Sequence, residues 1–256
     1  MTEDGRSFAC KGARRHSFDF SRSGYLNLAR SGQAGTGDAK EAIRARSAFL
    51  DAGYYAPLAD ALCELLDREP VELLADAGCG EGYYTDRMAI DRAVLGVDLS
   101  VAGVDHAAKR AKRTGSRASY VVSSLFSLPL ADASADAVVS VFAPCAEEEF
   151  LRVLRPGGRL ILVGAGERHL FGLKEKLYEN PYTNPGREDL PEKMKLLEKQ
   201  ILSYSVTVEG VAAVEALFSM TPYYWRTSRE DHARLAATER LTTPLEFDIF
   251  VFRKEE

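Results

Sequence analysis

The feature that most constrains the fold of this chain is a glycine-rich segment, Asp76-Ala-Gly-Cys-Gly-Glu-Gly82, which directly follows a short apolar run. The run at 71–75 predicts a buried strand, and a helix is expected to begin near Tyr83. Glycines let the backbone approach a ligand closely, and a helix N-terminus offers unpaired amide donors. A glycine pattern can also be a simple tight turn, but a turn that joins a strand to a helix favours an α/β fold that binds a nucleotide-like ligand.

The pattern beyond this turn supports the α/β class. Helices are expected from Ser100 to about Arg113 and from about Ala146 to Leu154. Strands that alternate with helices form βαβ units, so the chain predicts a parallel sheet covered on both faces, that is, a doubly wound α/β domain. The apolar runs that predict the further strands of this sheet lie at 93–97, 118–122, 137–142 and 159–164.

The last third of the chain is more mixed. We place helices and loops at 167–199 and a helix at about 228–239. Two late strands are predicted at 203–208 and 245–253.

The first third differs in composition. Asp38 and Glu41 resemble a capping box for a helix that ends at Gly53, and Pro57 can open a second helix. We therefore expect a small N-terminal appendage at 1–56 and a ligand-binding domain at 57–256, with an insertion at about 167–200.

Charge is distributed unevenly along the chain. The whole sequence has a formal net charge of −5, whereas residues 6–46 hold nine basic and three acidic residues. A basic segment on an acidic protein suggests an anionic partner, although a solvated basic face is the simpler alternative. The same two interpretations apply to a second basic cluster, which consists of Lys109, Arg110, Lys112, Arg113 and Arg117.

Several classes of protein are disfavoured. No uncharged apolar run approaches the roughly 18–20 residues of a membrane-spanning helix. The acidic start, with Glu3 and Asp4, is unlike a signal peptide. The four cysteines show no paired spacing, which favours a reducing compartment over a disulfide framework. We expect a soluble, cytoplasmic protein without a membrane partner.

Polar residues follow the predicted second and third strands. Asp98 ends the second strand about 20 residues after the glycine turn, where a carboxylate can accept from ribose hydroxyls. Ser123 and Ser124 end the third strand, beside the expected position of an adenine. A surface acid at a strand end is the alternative for Asp98.

The turn has the spacing Gly-x-Gly-x-Gly, with an acid two residues before the first glycine. Together with Leu154-Arg-Pro-Gly-Gly158, this resembles the class I S-adenosylmethionine-dependent methyltransferases. The resemblance implies a Rossmann-like sheet, mostly parallel with an antiparallel late strand, and S-adenosylmethionine as the cofactor. The residues expected to bind it are Asp76, Gly78, Gly80, Glu81, Gly82, Asp98, Ser124 and Leu125.

A narrower resemblance covers about residues 8–226. The segments that carry it are His16-Ser-Phe-Asp19, Gly24-Tyr-Leu-Asn27, Phe49-Leu-Asp-Ala-Gly-Tyr-Tyr55, Phe142-Ala-Pro-Cys145, Arg168-His169-Leu-Phe-Gly-Leu-Lys174 and Thr221-Pro222. They resemble the bacterial large-subunit rRNA guanine-N1-methyltransferases. This implies methylation of guanine N1 in a hairpin of 23S rRNA, and it makes a homodimer plausible.

The resemblance assigns further residues to the site. Tyr55 is expected to close over the cofactor, with packing between the two parts of the chain as the alternative. His169 is expected to reach the cofactor from beyond the fifth strand, with a capping or core histidine as the alternative. Phe142 and Pro144 are expected to shape the pocket for the target base, although Phe142 could equally pack in the core. We expect phosphate contacts along the basic segment, including Arg44 and Arg46. No catalytic base is identified.

Two departures from the family limit these inferences. Family members carry an N-terminal zinc module, whereas only Cys10 and His16 remain here, so we predict no zinc on this chain. Either the start is truncated or the metal has been lost. Leu125-Phe126 replaces a frequent His-Arg pair, which favours packing at the adenine over an RNA contact.

Two other functions stay open from the sequence. One is a methyltransferase of this fold that acts on a small molecule, which the loss of the zinc module would favour. The other is a catalytically silent protein that binds the cofactor or RNA, which the intact glycine turn argues against.

Overall fold

The structure, a computed structural model, describes residues 7–9, 16–29, 40–224 and 227–255. Within these ranges, Pro57 lies in the first turn of the second helix, as predicted. The predicted cap at Asp38 lies outside the described residues. The first elements are β1 (Ser7–Ala9), β2 (Ser17–Asp19), β3 (Leu26–Asn27), α1 (Lys40–Asp51) and α2 (Ala56–Asp67).

The central part shows the predicted alternation of strands and helices. Each predicted strand overlaps an observed one, and Ser100 caps its helix, because its Oγ accepts from the amide of Gly103 at 3.1 Å. The elements are β4 (Leu73–Ala77), α3 (Tyr83–Met88), β5 (Ala93–Asp98), α4 (Val101–Thr114), β6 (Ser119–Val122), β7 (Ala135–Val141), α5 (Glu147–Val153) and β8 (Leu154–Ala165).

The late elements differ from the prediction in extent. They are α6 (Phe171–Leu177), β9 (Lys195–Glu209), α7 (Val211–Ser219), α8 (Arg229–Leu235) and β10 (Arg240–Arg253). The two late strands are 15 and 14 residues long, so the loops expected up to 199 were wrong from Lys195 onward. The start of β9 is rich in Lys, Glu and Gln and has no apolar alternation. Its strand conformation is set by pairing with β10, which the local sequence does not show.

Helix α7 was not predicted, and α8 ends at Leu235 rather than Glu239. The sequence of α7 is a short apolar run, which by periodicity alone is as compatible with a strand as with a helix.

The main sheet has eight strands in the order β3-β6-β5-β4-β7-β8-β10-β9. The first six are mutually parallel, and β10 runs antiparallel between β8 and β9. This is the predicted Rossmann-like sheet with one antiparallel late strand, β10. The strand order reverses between β4 and β7, and ligands of open α/β sheets bind at the carboxyl ends of strands at such a switch point.

The N-terminal part packs into the same layers as the rest of the chain. Strand β3 extends the main sheet by pairing with β6. Phe49 and Leu50 of α1 belong to the same buried cluster as Val214 and Leu217 of α7. Residues on both sides of residue 56 thus contribute to one core. The division at residue 56 stays a prediction. No helix among the described residues is long and apolar enough to cross a membrane.

Gly172 allows α6 to pack closely on β10. A Cβ built there would lie 2.4 Å from the carbonyl oxygen of Thr242, and the Gly172 amide donates to the Thr243 hydroxyl at 3.1 Å. Gly172→Ala should therefore destabilise the fold by about 1–3 kcal/mol through overpacking, although alanine usually favours a helix. Urea unfolding measures this change.

Gly186→Ala is the matched control, because no described atom lies within 4 Å of its added Cβ. Equal unfolding free energies for the two variants would contradict the close packing of α6 on β10.

Candidate active site

The glycine turn lies at the switch point of the sheet. Gly78, Gly80 and Gly82 have φ values of 89°, 53° and 80°, a region that side chains disfavour. The amides of Gly78 and Cys79 donate to the carbonyl of Val97 at 2.8 and 3.1 Å. The turn is thus fixed to the end of β5, and its three glycines carry no side chain that would keep a ligand away from the backbone.

The three glycines lie against three different neighbours. A Cβ at Gly78 would be 2.6 Å from the Cβ of Ala143, and one at Gly82 would be 2.6 Å from the Tyr120 hydroxyl. A Cβ at Gly80 would be 3.4 Å from the guanidinium of Arg46. The loop after β7 therefore touches the turn directly, which brings the predicted cofactor and target-base residues together.

Asp98 supports the turn from the end of β5. Its Oδ2 accepts from the amide of Gly80 at 3.0 Å, and its Oδ1 accepts from the amide of Ser100 at 2.7 Å. Each carboxylate oxygen can accept more than one hydrogen bond, and Asp98 is partly exposed. The residue can therefore hold the turn and still accept from a ligand.

Asp76 faces the interior. It is 2% exposed, and its carboxylate accepts from the Thr85 hydroxyl at 2.5 Å. Burial raises the pKa of Asp76 to about 7, and the Thr85 hydrogen bond opposes that rise. The Asp76 side chain thus joins the end of β4 to α3 beneath the turn.

Glu81 pairs with Arg46 of α1. The Arg46 Nε lies 2.5 Å from Glu81 Oε2, and Glu81 is 3% exposed. Sequence reasoning placed Arg46 on the RNA, whereas the structure places it at the glycine turn. Arg44, two residues earlier in α1, is exposed.

Tyr55 and His169, which the resemblance assigns to the cofactor site, contact each other. The Tyr55 hydroxyl lies 3.1 Å from His169 Nε2, and both residues are buried. His169 Nδ1 accepts from the amide of Glu246 at 3.3 Å, which leaves the proton on Nε2 to donate to Tyr55. Burial lowers the pKa of His169 to about 4, so the imidazole is neutral at pH 7.

Phe142 lies at the edge of this aromatic group. It is 47% exposed and has a φ of 54°. Its ring centroid is 5.7 Å from that of His169 and 6.0 Å from that of Phe247. Pro144 is exposed two residues later. Phe142 thus packs on the core with part of its ring and leaves the rest open to a ligand.

The loop after β6 separates its two apolar residues. Leu125 packs against a buried cluster, whereas Phe126 is 61% exposed. Ser124 Oγ accepts from the Phe126 amide at 3.2 Å. Ser124 and Leu125 are therefore placed where they could pack against an adenine. The Phe126 side chain is exposed to solvent.

Two residues at the site were missed from the sequence. The Tyr84 hydroxyl is buried without a hydrogen-bond partner among the described residues. Burial, with Tyr55 and Glu81 nearby, raises its pKa well above the usual range. Arg187 contacts the loop after β7. Tyr84 stands one residue after the predicted helix start, which could have marked it, but no local pattern marks Arg187.

Metal binding was predicted to be absent. Within the described ranges, no three or more His, Cys, Asp or Glu side chains group closely enough to hold an ion. Cys10 lies outside those ranges, so the expectation about zinc stays a prediction.

Comparison with known proteins identifies the class. Residues 75–162 match the family described as "Methyltransferase domain". The structure resembles geranyl diphosphate methyltransferase in complex with SAM, with a TM-score of 0.51 and 16% identity over 88% of this chain and 94% of that one. At that identity the likeness shows the fold alone, which is the class I methyltransferase fold.

By sequence, the chain is a homologue of proteins named 23S rRNA (guanine-N1)-methyltransferases. It is 35% identical to the 23S rRNA (guanine(748)-N(1))-methyltransferase of Streptomyces fradiae over 67% of this chain and 62% of that protein. It is 38% identical to a protein of Micromonospora griseorubida with a provisional name of the same kind, over 63% of this chain and 60% of that one.

These matches span about three fifths of the length of those two relatives. YxjB of Bacillus subtilis, which also has a provisional 23S rRNA (guanine-N1)-methyltransferase name, is 28% identical over 98% of this chain and 92% of its own length. The predicted resemblance and fold class are thus confirmed. The assigned site residues stay predictions.

The buried His169 should make the free energy of unfolding decrease as the pH is lowered. Its pKa is about 4 in the folded chain against an ordinary value of 6.5. Between these values the unfolded chain binds a proton that the folded chain does not, so stability falls as the pH is lowered from 6.5 towards 4. His169→Gln should remove a loss on the order of 3 kcal/mol over this window.

Urea unfolding of wild type and variant, repeated in steps from pH 7 to pH 4.5, measures the difference. His16→Gln, which removes an exposed histidine, is the control. Parallel curves for wild type and His169→Gln would show that the buried imidazole does not resist protonation.

Proposed function

We propose that this chain is an S-adenosylmethionine-dependent methyltransferase that methylates N1 of a guanine in 23S rRNA. The observation that carries the proposal is the contact between Gly78 of the glycine turn and Ala143 of the loop after β7. It joins the predicted cofactor site to the predicted base site at one switch point. The names of the sequence relatives support the substrate.

The residues at the turn fit this cofactor. The bare backbone at Gly78 and Gly80 can approach it, Asp98 can accept from its ribose hydroxyls, and Ser124 with Leu125 can border its adenine. The orphaned Tyr84 hydroxyl lies close to Glu81 and Tyr55 and would gain a partner from a polar ligand. Tyr55 and His169 would close the site on the other side.

When bound, S-adenosylmethionine supplies a methyl group made electrophilic by its sulfonium. The chain's own task is then to hold the nucleophile in line with that methyl group. Phe142 and Pro144 offer exposed apolar surfaces against which a guanine can stack.

Guanine N1 must lose its proton during the transfer. Asp189, which contacts the loop after β7, accepts from the Cys145 amide and pairs with Arg187. Both oxygens of this carboxylate are therefore already engaged. His169 donates its Nε2 proton to Tyr55 and is therefore occupied as well. We assign no general base.

RNA would be held mainly by phosphate contacts. Arg44, Arg113 and Arg117 are exposed and can make such contacts. Arg110 instead pairs with Asp51 at 2.6 Å, which favours a structural role for that member of the second basic cluster. A cytoplasmic location and a homodimer stay predictions.

Methyl transfer to unmodified 23S rRNA tests the reaction. With labelled S-adenosylmethionine, we expect label in the RNA and 1-methylguanosine after digestion and mass spectrometry. A fragment already methylated at guanine N1 is the matched substrate control. Cofactor binding without transfer would overturn the rRNA proposal in favour of a small-molecule substrate, and absence of cofactor binding would favour a silent protein.

Tyr84→Phe tests the cofactor site. Removing a buried hydroxyl that has no partner within the described part of the chain should leave the stability of the ligand-free protein unchanged or raised. Loss of a hydrogen bond to the cofactor should weaken its binding by about 1 kcal/mol, roughly fivefold. Calorimetric titration and thermal unfolding measure the two effects.

Tyr204→Phe is the control, because the Tyr204 hydroxyl donates to the carbonyl of Tyr54 at 2.8 Å. It should lower stability and leave cofactor affinity unchanged. An unchanged cofactor affinity in Tyr84→Phe would show that the Tyr84 hydroxyl does not bind the cofactor.

A further inference from the structure

The segment at 178–194, between α6 and β9, contains neither helix nor strand and contacts the ends of β8 and β7 near the candidate active site. Asn184 anchors it. Its amide nitrogen donates to the carbonyls of Gly166 and His169 at 3.0 and 2.9 Å, and its Oδ1 accepts from Lys174 and the Tyr223 hydroxyl, both at 2.7 Å. All four hydrogen-bonding positions of the side chain are used, so the segment is held in place at Asn184.

Arg187 is the next anchor along this segment. Its guanidinium donates to the carbonyl of Val163 at the end of β8, at 3.1 Å, and to the carbonyl of Ala143, at 2.8 Å. The Arg187 side chain is 8% exposed, and its Nε lies 2.8 Å from Asp189 Oδ1. The planar guanidinium thus joins two neighbouring strand ends, which suits its several donors in fixed geometry.

Asp189 completes the attachment. Its Oδ2 accepts from the amide of Cys145 at 2.8 Å. Arg187 and Asp189 therefore hold the two residues on either side of Pro144, one by its carbonyl and one by its amide. We call this pair the Arg187–Asp189 clamp.

The clamp acts on a strained loop. Phe142 has a φ of 54°, which a bulky residue adopts only where its surroundings fix it. The Phe142 amide donates to the Val163 carbonyl at 3.0 Å, the same oxygen that accepts from Arg187. Phe142 and Pro144 are nevertheless exposed. The clamp thus fixes the backbone while these two side chains stay open.

We propose that the Arg187–Asp189 clamp is the positioning element that holds Phe142 and Pro144 where they receive the target base. This inference rests on the function proposed above. Arg187 contacts loop carbonyls rather than the base, so it acts through the loop and is a positioning residue.

Arg187→Gln is the principal test, with methyl transfer to 23S rRNA, cofactor affinity and hydrogen exchange as readouts. We expect kcat to fall about 10- to 100-fold from misplacement of the base, with cofactor affinity unchanged. Amide exchange should accelerate at Cys145 and Phe142 and stay unchanged at 76–82.

Two further variants should show intermediate losses of kcat, and a third serves as the control. Arg187→Lys keeps the charge but cannot span both carbonyls, so it should recover part of kcat. Asp189→Asn keeps an acceptor for the Cys145 amide and should cost less than Arg187→Gln. Arg68→Gln is the matched control, because it breaks an exposed ion pair with Glu198 on another part of the surface and should behave as wild type.

The two proposals fail in different ways. If wild-type protein transfers no methyl group to the RNA, the proposed function fails. The hydrogen-exchange rate of the Cys145 amide in Arg187→Gln then still tests whether the clamp holds the loop. Wild-type exchange at Cys145 in folded Arg187→Gln would overturn the clamp. A fall in cofactor affinity as large as the fall in kcat would also overturn it, because Arg187 would then act at the glycine turn.

Discussion

The close packing of three glycines is the constraint on which this site depends. Gly78 lies against the loop after β7, Gly80 against α1 and Gly82 against β6. A side chain at Gly78 or Gly82 would overlap its neighbour, and positive φ disfavours a side chain at any of the three. The glycine turn, whose backbone can approach a ligand, is therefore also in contact with three other elements of the fold. Asp98 fixes its position by accepting from the Gly80 amide.

A buried polar network around His169 stabilises the part of the site next to Phe142. Lys174 donates to Asn184, Asn184 holds the carbonyl of His169, and His169 donates to Tyr55. The amide of Glu246 on β10 fixes the tautomer of the imidazole. Such a satisfied network favours one arrangement of the helices and strands that it joins. The antiparallel late strand thus contributes to the site as well as to the edge of the sheet.

Residues with a strong local signal were predicted well. The strands around the glycine turn, the cap at Ser100 and the position of Asp98 follow from short-range patterns of apolar, glycine and polar residues. The sequence missed α7 because a short apolar run has no decisive period. It missed the first half of β9 because an edge strand gains its conformation from its partner, here β10.

The sequence by itself determined the class of fold, the glycine turn and the family resemblance, because each depends on residues close together in the chain. Only the tertiary structure decided which distant side chains meet. It paired Arg46 with Glu81, and it placed Arg187 on the loop after β7. The sequence around either arginine does not show these contacts, since a guanidinium takes its role from the carbonyls and carboxylates that folding brings within hydrogen-bond distance.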